Sequence, residues 1–363
     1  MSEVAELAAA LVRIDSVNPT LIAGGAGEAE IATFVAGWLE QAGLEVEVVE
    51  PVPGRPSVIG VARGTGGGRS LLLNAHLDTV GTGAMEAPFA ARIEDGRLHG
   101  RGSYDMKGAL AAAMLAVADA RSLGLAGDVI LTAVADEEVA SLGTEAVIGR
   151  VAADAAIVCE PTELQVAIAH RGFAGFEIET RGVAAHGSRP DLGVDAIAKM
   201  GHVLVALEEL DRRLQAGPRH PLVGTGSLHA SLIEGGQEFS SYPARCLLTG
   251  ERRTLPGETA AEIEADLQAA AGDAEVRLRV SRAPFEVDEA HALVRAVGRA
   301  SGVTGAIGVP FWTDAALVAA AGIPTVLFGP AGEGAHGAVE WVDVSSLERC
   351  RQVYAAVATE LCT

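Results

Sequence analysis

Aromatic side chains make up only 4% of the 363 residues, so any core has to be assembled from Ala, Val, Leu and Ile. Cysteine is almost missing. The four present, Cys159, Cys246, Cys350 and Cys362, are far apart and form no C-x-x-C pair. That spacing argues against a cysteine zinc centre or a disulfide framework and for a reducing compartment. Positive charge is scarce as well, with 27 Lys and Arg against 48 Asp and Glu and a formal net charge of −21. Such a surface repels phosphate backbones and anionic lipid, which argues against nucleic acid and membrane partners. The longest apolar run, residues 109–118, falls well short of the roughly 20 residues that span a bilayer. The opening Met1-Ser2-Glu3, soon followed by Glu6, has neither the basic nor the apolar region of a signal peptide, so a cytoplasmic location is expected.

Hydrophobic residues at 49% and charged residues at 21% are ordinary for a globular chain, and the length accommodates two domains. Val4, Leu7, Ala8, Leu11 and Val12 recur with helical period, with Ser2 placed as an N-cap and Glu3 in the first turn. Ile31, Phe34, Val35, Trp38 and Leu39 mark a second helix that Gly43 can terminate. Apolar runs at 71–73, 129–134, 156–158 and 325–328 alternate with helical segments around 108–118 and 313–321. This pattern predicts an α/β domain around a central, mostly parallel sheet. From about 171 to 282 the order changes to strand, helix, strand, strand, helix, strand, which is the ferredoxin-like arrangement of an α+β domain. The expected organisation is a first domain in two parts, 1–170 and 283–363, interrupted by an insert at 171–282. The glycine cluster at 64–68 has no phosphate-loop spacing and reads as a turn between strands.

The chemistry sits where the apolar runs stop. They lead to His76 and Asp78, to Asp136, Glu137 and Glu138, to Glu160, and after a glycine-rich loop to His336. Ligands of open α/β sheets bind beyond the carboxyl ends of the strands, so four such endings point to one shared site. His76 and Asp78 point the same way on an extended chain, and a metal-bound imidazole commonly donates its other N–H to a carboxylate. Taken alone the pair reads first as an ordinary polar strand end. Three consecutive carboxylates are by default a solvated turn; a functional version needs one on a cation and its neighbour free as a base. The stretch Gly100-Arg101-Gly102-Ser103-Tyr104-Asp105 precedes a very apolar helix, and Asp105 near a helix N-terminus is favourable in any case.

Taken together, Asn74-Ala75-His76-Leu77-Asp78, Gly100-Arg101-Gly102 through Asp105-Met106-Lys107-Gly108, Asp136-Glu137-Glu138, Glu160-Pro161-Thr162 and Ala335-His336 resemble the zinc aminoacylase and carboxypeptidase family of metallopeptidases. That family includes acetylornithine deacetylase, succinyl-diaminopimelate desuccinylase, aminoacylase and carboxypeptidase G. The resemblance covers almost the whole chain and keeps the family's order. It implies two Zn²⁺ ions, for which Co²⁺ or Mn²⁺ can substitute. Asp105 would bridge them, His76 and Glu160 completing one and Glu138 and His336 the other. It further implies Asp78 supporting His76, Glu137 as general base, and a cis peptide at Asp105-Met106.

The insert adds residues of its own. Ala185-His186-Gly187 resembles the family's lid histidine, which in dimeric members reaches the partner's active site, so a homodimer through this domain is implied. Arg253 matches an arginine that holds the substrate carboxylate, and Arg252 should point the other way. Ser240 stands where the family commonly has asparagine, and Gly329-Pro330-Ala331 replaces Gly-Pro-Gly, so contacts to the polar end of the substrate are expected to differ. The reaction implied is removal of the acyl group from an N-acyl amino acid, with an exopeptidase or dipeptidase using the same site as the alternative. A degenerate, non-catalytic metal-binding relative would be expected to have lost ligands, and none is missing.

Overall fold

The structure is a computed structural model that describes residues 2–363. Two compact units make up the chain: Met1–Ile168 with Val287–Ile307 and Thr313–Thr363, and Ala169–Glu286 with Gly308–Trp312.

Strands apolar on both faces need cover on both sides, and that requirement fixes the centre of the first unit. Leu71–His76, Val129–Val134 and Ala155–Val158 are buried at every residue. In space the sheet runs Glu45–Val49, Ser57–Ala62, Val129–Val134, Leu71–His76, Ala155–Val158, Thr325–Leu327. The last four of these are mutually parallel. Ser57–Ala62 and Glu45–Val49 add antiparallel, and Leu327 pairs antiparallel with Ala167. The sheet is therefore mixed, with parallel pairing confined to its middle. Its outermost strand, Glu45–Val49, is largely exposed, as an antiparallel margin allows. The four parallel strands are the four apolar runs singled out above, so their carboxyl ends lie along one edge. The glycine turn at 64–68 links Ser57–Ala62 to Leu71–His76 without forming a hairpin, because Val129–Val134 is inserted between the two strands.

Helix Gly108–Ala120 is buried on nearly every side. An all-round apolar helix must be covered all round, and Glu3–Val12, Val344–Leu361 and the sheet provide the cover. Glu3–Val12 forms as expected, but the Ser2 side chain makes no capping hydrogen bond. Ala29–Gln41 ends just before Gly43, whose φ of +77° is the left-handed turn that glycine adopts freely. Among the described residues no helix is long and apolar enough to cross a membrane.

The second unit runs Gly172–Arg181, Ala196–Ala216, Ser227–Gly235, Arg245–Thr254, Ala260–Ala271, Glu275–Arg282. Its strands pair antiparallel in the spatial order Ser227–Gly235, Arg245–Thr254, Gly172–Arg181, Glu275–Arg282. Phe176, Ile178 and Leu248 of the sheet pack with Met200 and Leu207 of one helix and Leu267 of the other. Alternation along Arg245–Thr254 buries Arg252, which binds Asp266 at 2.7 Å as well as Glu258, and leaves Arg253 on the other face. Phe176→Ala should cost about 3–5 kcal/mol, the usual toll of a large core cavity. Urea titration reads it, and a midpoint equal to wild type would show that this face is not a packed core.

Candidate metal centre

The edge formed by the parallel strands gathers seven of the expected residues within the first unit. His76 ends Leu71–His76, and its Nε2 lies 3.0 Å from Asp105 Oδ1 and 3.9 Å from Glu160 Oε1. The other oxygen, Asp105 Oδ2, lies 3.3 Å from His336 Nε2, which is 3.1 Å from Glu138 Oε2. Asp105 thus faces two imidazoles with its two oxygens, one toward Glu160 and one toward Glu138. Among the described residues, ligand atoms within 4.8 Å of one another are offered by His76, Glu137 and Glu160 and by His76, Asp105 and Glu138. Glu137 therefore sits beside the His76 wing.

Backbone shape puts Asp105 there. Gly102 turns at φ +77°, and the Asp105-Met106 peptide is cis. Glu340 clamps the turn: its Oε1 accepts from the amides of Tyr104 and Asp105 at 3.0 and 3.1 Å, and its Oε2 from Gly102 at 3.0 Å. Arg101 joins Glu340 at 2.5 Å and the Gly337 carbonyl at 2.8 Å, tying this turn to the His336 loop. His76 Nδ1 meets the backbone carbonyl of Asp78 at 2.9 Å, whereas the Asp78 carboxylate stands off at 3.7 Å. That carboxylate instead accepts the Glu137 and Glu138 amides at 3.1 and 3.3 Å. The expected support of His76 comes from the Asp78 main chain, because the side chain is taken up by the acidic turn.

Electrostatics show a cluster short of positive charge. Burial, joined by Glu160, pushes the Glu137 carboxyl well above the usual range. Burial and Asp105 raise Glu138, and burial raises Glu160 despite His76. Burial also opposes charge on Asp105, but its hydrogen bonds to His336 and His76 hold it below the usual range. Asp105 and Glu138 lift His336 to about 10. Burial favours neutral His76, and Asp105 with Glu160 outweighs it, so that group rises too. Both histidines are thus drawn toward the proton-bearing form by carboxylates that a cation would otherwise satisfy. Glu138 Oε1 is buried with no hydrogen-bond partner. Imidazole nitrogen and carboxylate oxygen are donors suited to divalent metals, and the set fits a dinuclear site.

The other three expected residues lie in the second unit. His186 and Ser240 come together there, the Gly187 amide donating to the Ser240 carbonyl at 2.6 Å, and His186 Nδ1 lies 2.7 Å from Ser188 Oγ. Arg253 pairs with Glu251 on its own strand at 2.6 Å and lies over the Phe173 ring.

The profile of the Peptidase family M20/M25/M40 matches residues 72–360. The chain belongs to that family. This M20 chain is thus a hydrolytic metallopeptidase in its family, as its motifs imply. Solved structures of similar fold include aminopeptidase PepT from Bacillus cereus, at 20% identity over 99% of this chain and 98% of that one, with a TM-score of 0.81. An M20 family metallo-carboxypeptidase from Sulfolobus solfataricus shares 19% identity over 99% of both chains, with a TM-score of 0.78. A dinuclear metal binding M20 peptidase from Bacillus subtilis shares 17% over 99% and 97%, with a TM-score of 0.75.

Sequence reasoning about this M20 chain missed Glu340, Arg101, and the use made of the Asp78 carboxylate. None stands out locally; Glu340 is a lone glutamate far along the chain from the turn that it clamps. Asp314 occupies the cap position of Ala315–Ala320, yet its carboxylate accepts from Thr144 at 2.5 Å, and burial raises it to about 6.

Lys107, two residues beyond Asp105, is fully buried and donates to the Ile14 carbonyl at 2.7 Å. Burial pulls its ammonium down to about 7 against the opposing pull of Asp15, Glu340 and Asp78. An unfolded lysine titrates near 10.4, so between about 7 and that value the unfolded chain holds a proton that the folded chain has released. Stability should therefore rise with pH through this window, while below about 7 both states are charged and the burial cost is full. In chelator-treated protein, the gain from pH 7 to 9.5 should exceed that of Lys107→Met by a few kcal/mol at most, since each tenfold difference in proton affinity between the two states is worth about 1.4 kcal/mol. Parallel urea-midpoint profiles for the two proteins would show that Lys107 does not titrate there.

Proposed function

We propose that this M20 hydrolase removes the acyl group from a small N-acyl amino acid, holding two zinc ions through His76, Asp105 and Glu160 and through Asp105, Glu138 and His336. The observation that carries the reading is the position of Asp105, one oxygen toward each histidine wing. When bound, the two ions supply Lewis acidity toward the scissile carbonyl and the attacking water. Glu137 takes a proton from that water and later passes it to the departing amine. Its raised affinity for protons suits a group that must accept and then donate near neutral pH. The amide bond breaks, hydroxyl ends on the acyl carbon, hydrogen on the amine, and a carboxylate and a free amino acid leave.

Arg253 can grip the substrate carboxylate with two parallel hydrogen bonds, exchanging Glu251 for it. Ser240 offers one hydroxyl where an amide would offer a donor and an acceptor. His186 would donate to the oxyanion, supplied by the partner in a homodimer built on the second unit. Ser227–Gly235 supports that assembly: it is an edge strand with Leu232 and Ile233 more than half exposed. Peptide substrates are a second reading, favoured by the similar solved structures being an aminopeptidase and a metallo-carboxypeptidase. The carboxylate clamp serves both. A panel of N-acetyl and N-succinyl amino acids and dipeptides with the zinc-loaded protein separates them by kcat/KM; hydrolysis of none would sink both.

Glu137→Ala should lower kcat by about 10²–10⁴-fold, the range for a lost general base, while both metal ions stay bound. Retention of most activity would remove Glu137 from that role. Mixing His186→Ala with Glu137→Ala chains should restore part of the activity in hybrid dimers, since one composite site regains both residues. No rescue in hybrids shown by mass spectrometry to form would place His186 in its own chain's site.

A further inference from the structure

The geometry points to Arg55 as a positioning residue that sets the metal-ligand and base carboxylates from outside the site. It lies in the loop before Ser57–Ala62 with 7% of its surface exposed. Its Nε and Nη2 grip the buried Glu28 at 2.6 and 2.7 Å, and Nη2 also donates to Asp136 Oδ1 at 2.7 Å. Asn18 Nδ2 then bridges Asp136 Oδ1 at 2.9 Å and Asp78 Oδ2 at 2.8 Å. Asp78 in turn accepts the amides of Glu137 and Glu138. One buried chain thus runs from Arg55 to the two residues on which metal binding and proton transfer depend.

The charge balance gives the chain its purpose. Glu28, Asp136 and Asp78 are three buried carboxylates, and Arg55 is the cation touching two of them. Asp136 turns at φ +69°, in the left-handed region, and its carbonyl accepts the Ala140 and Ser141 amides at 3.1 and 2.6 Å. With Arg55 neutralised, Asp136 and Asp78 would share only the uncharged Asn18. Like charges in low dielectric separate, and the backbone they hold moves with them. A displacement of about 1 Å at such a site costs about a hundredfold.

This inference rests on the proposed roles of Glu138 and Glu137. It is read on the full-length chain by zinc competition with a chromophoric chelator, alongside kcat and KM. Folded Arg55→Met should bind its weaker zinc about 10–100-fold less tightly, with kcat falling and KM within about twofold. Arg55→Lys, which keeps the charge without the fork, should lie between. Folded Arg55→Met that binds both zinc ions as wild type does would overturn the proposal, whatever its melting temperature, since a purely structural ion pair lowers Tm without touching zinc affinity. Where Arg55→Met does not fold, Asn18→Ala is read by the same criterion. A wild-type chain that binds zinc but hydrolyses nothing defeats the proposed activity alone, and the zinc measurement still decides on Arg55.

Discussion

A single carboxylate shared between two imidazoles organises the first unit. Asp105 can face His76 and His336 at once only because its backbone leaves a left-handed glycine at 102 and is pinned through its own amide and that of Tyr104. A charge largely withdrawn from water is tolerated when it is answered, and here each oxygen of the half-buried Asp105 meets a ring nitrogen. Move the turn and both wings lose their common member. Glu340 is the reason it does not move, and Arg101 transmits the same constraint to the loop that carries His336.

The sheet serves that arrangement by its polarity. Parallel strands bring their carboxyl ends to one edge, so His76, the acidic turn after Val129–Val134, Glu160 and the segment leading to His336 are delivered together although they are far apart in sequence. Antiparallel strands at the margins would reverse direction and deliver nothing there. His76, the acidic turn and Glu160 thus stand at or just beyond the ends of rigid strands, while Asp105 and His336 depend on the clamped turn and loop, and His186 and Ser240 lie outside the named strands of the second unit.

Much of this was legible before any coordinates. Periodicity located the helices 3–12 and 29–41 and the six elements of the second unit, and unbroken apolar runs located the four parallel strands, which are buried on both faces. The candidate ligands were legible for a different reason: His76, Asp105, Glu138, Glu160 and His336 stand in motifs whose order resembles a known family. What was not legible depends on partners distant in the chain. Ser2 has the right side chain for a cap and does not use it. The extent of antiparallel pairing follows from which strand inserts beside Ser57–Ala62, which no local pattern encodes. Asp78 looked like the orienting carboxylate of His76, yet its own backbone carbonyl is the nearer acceptor, and its side chain answers the amides of the next strand's turn.

The excess of acid in the composition resolves into two populations that the amino acids alone do not distinguish. Glu340, Asp78 and Asp136 are surrounded by amides, Asn18 and guanidinium groups, so their oxygens are spoken for by the fold. Glu138 keeps an oxygen buried without a partner, and burial raises it, Glu137 and Glu160 toward the neutral form. The first group stabilises loop geometry; the second waits on a cation or a proton. Adjacent residues fall on opposite sides of this division: Asp136 accepts from Arg55 and Asn18, while burial raises the Glu137 carboxyl. Function in this chain is thus set less by where carboxylates occur than by which of them the backbone leaves unanswered.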